Sequence, residues 1–326
     1  MRMKGAPAMP AAPGGIPPLA TSHLFVTIKD FEALGEVYGP AFVHGVDEPG
    51  LQGRAADRDE AVRLYSQLAA GQLAFAFQAI VACADPTREL YQEALLRMRA
   101  PDREVCSAGP AIAALERLNL VRYLDHCVVN TVLALLAATP ALHLGCNISA
   151  QSTVEDAWWT GIFERLAAAP ELAGRLVIEI TESARVPDAA AGLAFVRRLQ
   201  AFGCRVAIDD FGSGFLPLDF VVRARPDIIK ISGDYLRRGR ERDADRAVFR
   251  SLLQLGASIA TDVVAEGVET HADFQSIGNG RNAWAQGWFV GRPTLLPAWH
   301  ANDHCVLAAA DATAVSSMAR RARRDE

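Results

Sequence analysis

Acidic residues recur within or at the ends of short apolar runs through most of this chain. Glu93 lies in LYQEALLRM, Glu179 and Glu182 in LVIEITES, Asp209 and Asp210 in RVAIDDFGSG, and Glu266 follows VVA. Asn147 closes LHLGCNIS, and Lys230 sits in DIIKIS. A carboxylate that leaves water costs free energy unless it is paired or bound to metal, and a lysine in an apolar strand needs partners. Several carboxylates at the same end of successive strands would form an oxygen-lined cage, the ligand chemistry that Mg²⁺ and Mn²⁺ favour. Taken singly, some of these residues have plainer roles. Glu93 alone suits a surface ion pair with Arg97 or Arg99, Asn147 suits a helix cap, and Asp209-Asp210 before Phe211-Gly212 suits a turn.

The apolar runs are short, β-branched and bounded by turn or helix signals, which reads as buried strands. From Asp59 onward strand-like and helix-like segments alternate. RDEAVRLYSQLAAG is an amphipathic helix stopped at Gly71, and LAFAFQAIV and LYQEALLRM follow as strands. A long helical region from about Gly109 to Thr139 precedes LHLGCNIS, and VEDAWWTGIFERLAAA is a helix ended by Pro170. PDAAAGLAFVRRLQAFG has proline near its start and glycine at its stop. RVAIDDFG and DIIKIS flank a short helix near Pro217 to Ala224; Arg242 to about Ala260 is helical, and NAWAQGWFV is the last strand. Roughly eight strands over ~240 residues have the length and alternation of a (β/α)8 barrel, whose active site lies at the C-terminal strand ends. A doubly wound open sheet is the competing architecture. It normally binds at one switch point through a glycine-rich turn, whereas here no GxGxxG follows the first strand and the polar residues spread over nearly all strands.

Composition narrows the class. The chain has 326 residues, 51% hydrophobic and 22% charged, with net charge -5, which suits a globular protein. No basic stripe with interleaved aromatics points to a nucleic-acid polymer. The most apolar stretch, Thr131 to Gly145, is interrupted by Pro140 and His143 and falls short of the roughly 20 residues of a membrane span, so no membrane insertion is expected. The six cysteines lack CxxC or zinc-like spacing, as expected of separate thiols in a cytoplasmic protein. Residues 1–22, rich in proline, alanine and glycine, read as a disordered leader, and 23–58 as an extension without clear pattern. Residues 59–300 form the expected barrel and 301–326 a C-terminal helix or tail.

The motifs carry a further signal. EALLR at Glu93 to Arg97, NIS at Asn147, EITE at Glu179, DDFGSG at Asp209, the lysine of KIS at Lys230, AEGVET at Ala265 and QGWFVGRP at Gln286 run in order from about Asp59 to Pro293. Together they resemble the EAL-domain phosphodiesterases, which hydrolyse the bacterial second messenger cyclic di-GMP. Two divalent cations suit that chemistry, because they neutralise phosphate charge, activate water and stabilise the leaving oxygen.

The resemblance implies metal-dependent conversion of cyclic di-GMP to linear pGpG with Mg²⁺ or Mn²⁺, two per site. It implies that Glu93, Asn147, Glu179 and Asp209 hold the first metal, and that Asp209 bridges to a second completed by Asp210. Glu266 is implied as second-site ligand or general base, with Lys230 orienting the attacking water. Arg97 would pair with a phosphate, Gln286 would hold a metal-bound water or the phosphate edge, and Gln78 is a retained substrate-side residue. Glu182 would brace the DDFGSG loop, and Glu269 is supportive. In the family that loop connects to a dimer contact, so Phe211, Phe215 and a homodimer enter as expectations, as does a protein partner at either terminal segment.

The chain departs from the family pattern at several points. Ser232 stands where an aspartate is usual, Ser213 replaces a threonine, Ala79 a proline and Trp288 a tyrosine, while Glu116 keeps its place without the usual aromatic neighbour. Loss of the carboxylate at Ser232 sets up the competing expectation, a cyclic-di-GMP receptor or protein-interaction module with little hydrolysis. No cyclase-like motif is readable beside the barrel.

Overall fold

A computed structural model describes residues 51–100 and 104–295. The expected leader at 1–22, most of the 23–58 extension, the end of the 59–300 span, Cys305 and the tail at 301–326 lie outside the described residues. Helix α1 spans Leu51–Ala69, starting upstream of the expected boundary at Asp59. Strands β1 (Ala74–Ala82) and β2 (Glu89–Arg99) follow, then a short β3 (Val105–Ser107). Helices α2 (Gly109–Arg117) and α3 (Val121–Ala138) lead to β4 (Leu144–Ser149). Next come α4 (Ala157–Ala168), α5 (Pro170–Ala173), β5 (Leu176–Thr181), α6 (Ala189–Ala201) and β6 (Arg205–Phe211). The chain continues through α7 (Leu218–Ala224), β7 (Ile228–Ile231), α8 (Gly233–Glu241), α9 (Asp243–Ile259), β8 (Asp262–Ala265), α10 (His271–Ile277) and β9 (Ala283–Ala285).

Eight strands close a barrel in the order β1-β9-β8-β7-β6-β5-β4-β2, with β2 returning to β1 and β3 hanging as a hairpin strand on β2. Seven of them run parallel; β1 is antiparallel to both neighbours. The chain is therefore a (β/α)8-type barrel whose first connection is a hairpin instead of a helix. Helices pack outside, and the main apolar core lies between them and the strands. Each fully buried aliphatic side chain there contributes about 1.5–3 kcal/mol.

Several element boundaries differ from expectation for local reasons. The long helix expected over Gly109 to Thr139 is broken into α2 and α3 at Asn119, whose φ of 57° is left-handed. Pro170 begins α5 instead of only ending α4, because proline fits the first turn of a helix. Helices α8 and α10 were not expected: α8 buries only Gly233, Leu236 and Gly239, too few for an apolar stripe. Strand β9 stops at Ala285. Among the described residues one helix, α3, is long and apolar enough to cross a bilayer, and 67% of it is buried inside the fold.

Inside the barrel, strand alternation stacks two layers. The lower is apolar: Ile80, Tyr91, Val177, Ala207, Ile228, Val264 and Trp284 form one cluster. Two residues along the same strands, hence on the same inward face, stand Gln78, Glu93, Glu179, Asp209, Lys230, Glu266 and Gln286. Gly145 and Asn147 repeat the pattern on β4. The residues with chemistry are thus one rung above a hydrophobic floor.

Candidate active site

Lys230 occupies the centre of that upper layer. Its Nζ lies 3.0 Å from Glu93 Oε2, 2.6 Å from Glu179 Oε2, 2.7 Å from Asp209 Oδ1 and 2.9 Å from Glu266 Oε1. The lysine is 0% exposed. Burial alone would lower its pKa, but the four carboxylates, Asp209 and Glu179 foremost, hold it well above the ordinary value. The expectation that the strand lysine needs partners is met by four of them.

Closure of the barrel supplies the amides. Gln78 on β1 is paired in register with Glu93 on β2, and Gln286 follows β9 on the other side of β1. Gln286 Nε2 donates to Glu93 Oε2 at 2.6 Å and to Gln78 Oε1 at 3.2 Å. Asn147 Nδ2 donates to Glu93 Oε1 at 2.5 Å. Burial pushes the Glu93 carboxyl up, but Lys230 and these amide donors outweigh it and bring it below the usual glutamate value. Its neighbours lack such donors. Burial and the Glu93 charge drive Glu179 well up, burial and Asp209 do the same to Glu266, and burial also raises Asp209. One ammonium does not balance four carboxylates.

Strand β6 delivers two adjacent aspartates by breaking its own alternation. Its pairing with β7 shifts register between Ile208 and Phe211, and Asp210 takes a left-handed φ of 55°. Asp209 faces inward while Asp210, exposed, lines the mouth. The following loop is held from two sides. Glu182 Oε2 accepts from Gly212 N at 3.1 Å and Gly214 N at 3.0 Å, and the Tyr235 hydroxyl donates to Gly212 O. Burial raises the Glu182 carboxyl to about 7 despite those two amides. The sequence reading missed Tyr235; only its position after KIS, facing the loop, marks it.

A cavity of about 570 Å³ opens over the cluster. Arg97, Ser232, Glu269 and Trp288 line it with the carboxylates. Arg97 is half-buried, its Nη1 donating to Leu96 O at 3.1 Å. Glu269 pairs with Arg240 at 2.8 Å. Ser232 is the residue before α8 and makes no side-chain cap, so the missing carboxylate lies at the cavity wall and outside the group around Lys230. A second acidic pair lies deeper: Asp125 Oδ2 accepts from Ser149 N at 2.9 Å and Ser152 Oγ at 2.6 Å, and Glu116 Oε1 accepts from Ser149 Oγ at 2.6 Å.

The donor set fits a divalent cation. Glu93, Glu179 and Asp209 each offer an oxygen within 4.8 Å of the others. Asn147 Oδ1 and Gln286 Oε1 are buried carbonyl oxygens without hydrogen-bond partners, which is uncommon unless another ligand completes them. Hard oxygens and an excess of negative charge are what such ions select.

The sequence model of the EAL domain matches residues 61–293. The chain belongs to the EAL domain family. A relative from Caulobacter vibrioides, an uncharacterized signaling protein, is 34% identical over 63% of this chain and 26% of its own length. A cyclic di-GMP phosphodiesterase of Pseudomonas aeruginosa is 30% identical over 62% of this chain and 35% of its own length. The EAL chain thus spans about a quarter to a third of these relatives. Among solved structures, the PaMucR phosphodiesterase in complex with cyclic di-GMP is 26% identical with a TM-score of 0.63, covering 74% of this chain and 98% of that one.

Proposed function

We propose that this EAL domain is a metal-dependent phosphodiesterase that opens cyclic di-GMP to linear pGpG. One observation carries the reading: a single buried ammonium faces four inward carboxylates beneath a cavity, leaving negative charge and buried carbonyl oxygens to be met by cations. The named activity of the Pseudomonas relative and the cyclic di-GMP bound to the PaMucR neighbour supply the substrate class.

In this reading Glu93, Asn147, Glu179 and Asp209 would hold one Mg²⁺ or Mn²⁺, and Asp209, Asp210 and Glu266 would hold a second. When bound, such ions would supply Lewis-acid charge to the reacting phosphodiester. Glu266, at 17% exposure the most open of the four carboxylates around Lys230, accepts the proton of the attacking water. A water oxygen–phosphorus bond forms, the bond to the ribose oxygen breaks, and that oxygen leaves as a hydroxyl with the proton that Glu266 took from the water. Lys230 keeps the carboxylates at fixed spacing. Gln286 holds Glu93 and Gln78 holds Gln286, and Arg97 meets a phosphate oxygen at the rim as a forked cation. Glu182 braces the loop behind Asp210, and Glu269 supports the rim through Arg240.

The test is hydrolysis of cyclic di-GMP by the purified protein with Mg²⁺ or Mn²⁺ beside Glu93→Ala. Metal-dependent pGpG, lost in the variant, is the expected result. Tight binding without turnover would replace the enzyme with a receptor. A homodimer belongs to the same proposal, supported by exposed Phe215, Leu218 and Val222 beside the DDFGSG loop; light scattering that finds only monomer at assay concentration would remove it. A cytoplasmic location is part of it too, supported by five free cysteines among the described residues.

A further inference from the structure

The hydroxyl of Tyr91 is buried directly beneath the carboxylate layer and has no hydrogen-bond partner. Tyr91 shares the inward face of β2 with Glu93. Its ring occupies space that Gly145 leaves open on β4. A Cβ at Gly145 would fall 2.3 Å from Tyr91 Cε2 and 2.3 Å from Glu179 Oε1. The ring edge and that carboxylate oxygen are therefore neighbours across one missing methyl group. Glu179 Oε1 is itself buried without a hydrogen-bond partner, while Oε2 faces Lys230.

A buried donor without an acceptor thus lies on the same inward side of the barrel as a buried acceptor without a donor. Packing does not explain the hydroxyl. Phenylalanine would fill the same volume in a floor otherwise built from Val177, Ala207, Ile228 and Val264, and it would avoid the cost of a buried, unpaired polar group.

We propose that Tyr91 is a positioning residue for Glu179, its hydroxyl donating to Glu179 Oε1 when a divalent cation is bound. The inference rests on the metal-dependent reading above. With Lys230 on one carboxylate oxygen and Tyr91 on the other, Glu179 is fixed in rotation. The two groups are not hydrogen-bonded to each other in this structure. Hydrogen bonds from a hydroxyl to a carboxylate are among the strong ones. Outer partners of this kind typically change metal affinity by about 10–100-fold.

Tyr91→Phe in the full chain tests this without touching a metal ligand. Two quantities are read, both without nucleotide: Mn²⁺ affinity from the free-ion resonance signal, and Tm in EDTA. The expected result is at least about tenfold weaker Mn²⁺ binding, with a Tm in EDTA unchanged or raised by about 2–4 °C as the unpaired hydroxyl is removed. Unchanged Mn²⁺ affinity overturns the inference. A fall in both quantities also overturns it, since Tyr91 would then be a packing residue. If the unaltered protein takes up no Mn²⁺, the metal reading fails and this inference with it. Mn²⁺ uptake without cleavage of cyclic di-GMP overturns only the proposed activity.

Discussion

Lys230 Nζ lies 2.6 Å from Glu179 Oε2, and neither side chain reaches solvent. The pair joins β7 to β5 across the barrel, and Glu93, Asp209 and Glu266 share the same ammonium. Removing one partner of a buried pair typically costs about 3–5 kcal/mol. Lys230→Met is expected to lower stability in EDTA by about that amount, because four carboxylates then face each other unpaired. Adding Mn²⁺ should restore a larger share of Tm in the variant than it adds to the unaltered protein. Equal metal-induced shifts in thermal scans would show that the lysine and the cation do not answer the same charge.

Gly145→Ala should be more damaging than its size suggests. The new Cβ meets Glu179 Oε1 and Tyr91 at 2.3 Å. Overpacking of this kind typically costs about 1–3 kcal/mol, and displacement of a metal-side carboxylate should lower kcat by about 10²-fold. Circular dichroism should still report the barrel. Activity within a factor of two of the unaltered protein would mean that Glu179 has freedom which its burial denies.

Gly214→Ala separates the loop from the barrel. A Cβ there falls 2.1 Å from Glu182 O, so the loop after Asp210 must shift. An expected fall in kcat of about 10²-fold, with Tm nearly unchanged, follows from misplaced aspartates on an intact scaffold. A large loss of Tm with little change in kcat in the surviving fraction would refute that division.

Asp125 carries a pH signature. Burial raises its carboxyl to about 8, against the pull of Ser152 and Ser149. An acid whose folded pKa exceeds its unfolded value binds more protons in the folded state. Its stabilising share is therefore full below about pH 4 and drains away as pH climbs to about 8. Asparagine cannot ionise. The Tm of Asp125→Asn relative to the unaltered protein should thus rise between pH 5 and pH 9; parallel Tm curves would contradict the buried ionisation.

Much of this site was readable in the sequence because strand alternation links each apolar floor residue to the polar residue two places on. Val177 and Glu179, Ala207 and Asp209, and Ile228 and Lys230 show this rule. Other features depend on contacts that no local pattern encodes. The short turn between β1 and β2 reverses β1 locally, but the contact of Gln78 with Gln286 was invisible until both ends of the barrel met. The break at Asn119 needs a left-handed residue that sequence alone leaves optional. Tyr91 was hidden in plain apolar patterning: only the facing glycine and the orphaned hydroxyl distinguish it from core. Strand β9 ends early because Gly287, at φ 154°, approaches the Val268 backbone, where a Cβ would fall 2.2 Å from the carbonyl oxygen.

The reversed first strand also sets an order of events during synthesis. Phe77 exchanges two backbone bonds with Thr294, at 2.8 and 3.0 Å, and Gln78 Nε2 reaches Gly291 O across 213 positions. Contacts so distant in sequence form late, because the intervening loop must be closed first. A ribosome-bound chain that has not yet released β9 should therefore hold Glu93 without its Gln286 partner, with β1 still an open edge. Arrested chains ending at Gly280 should be cut readily within β1 by added protease, and chains long enough to carry Thr294 clear of the ribosome should resist; equal cleavage would contradict this order. The nascent barrel would then keep its carboxylate layer unclosed until its final strand seals the first.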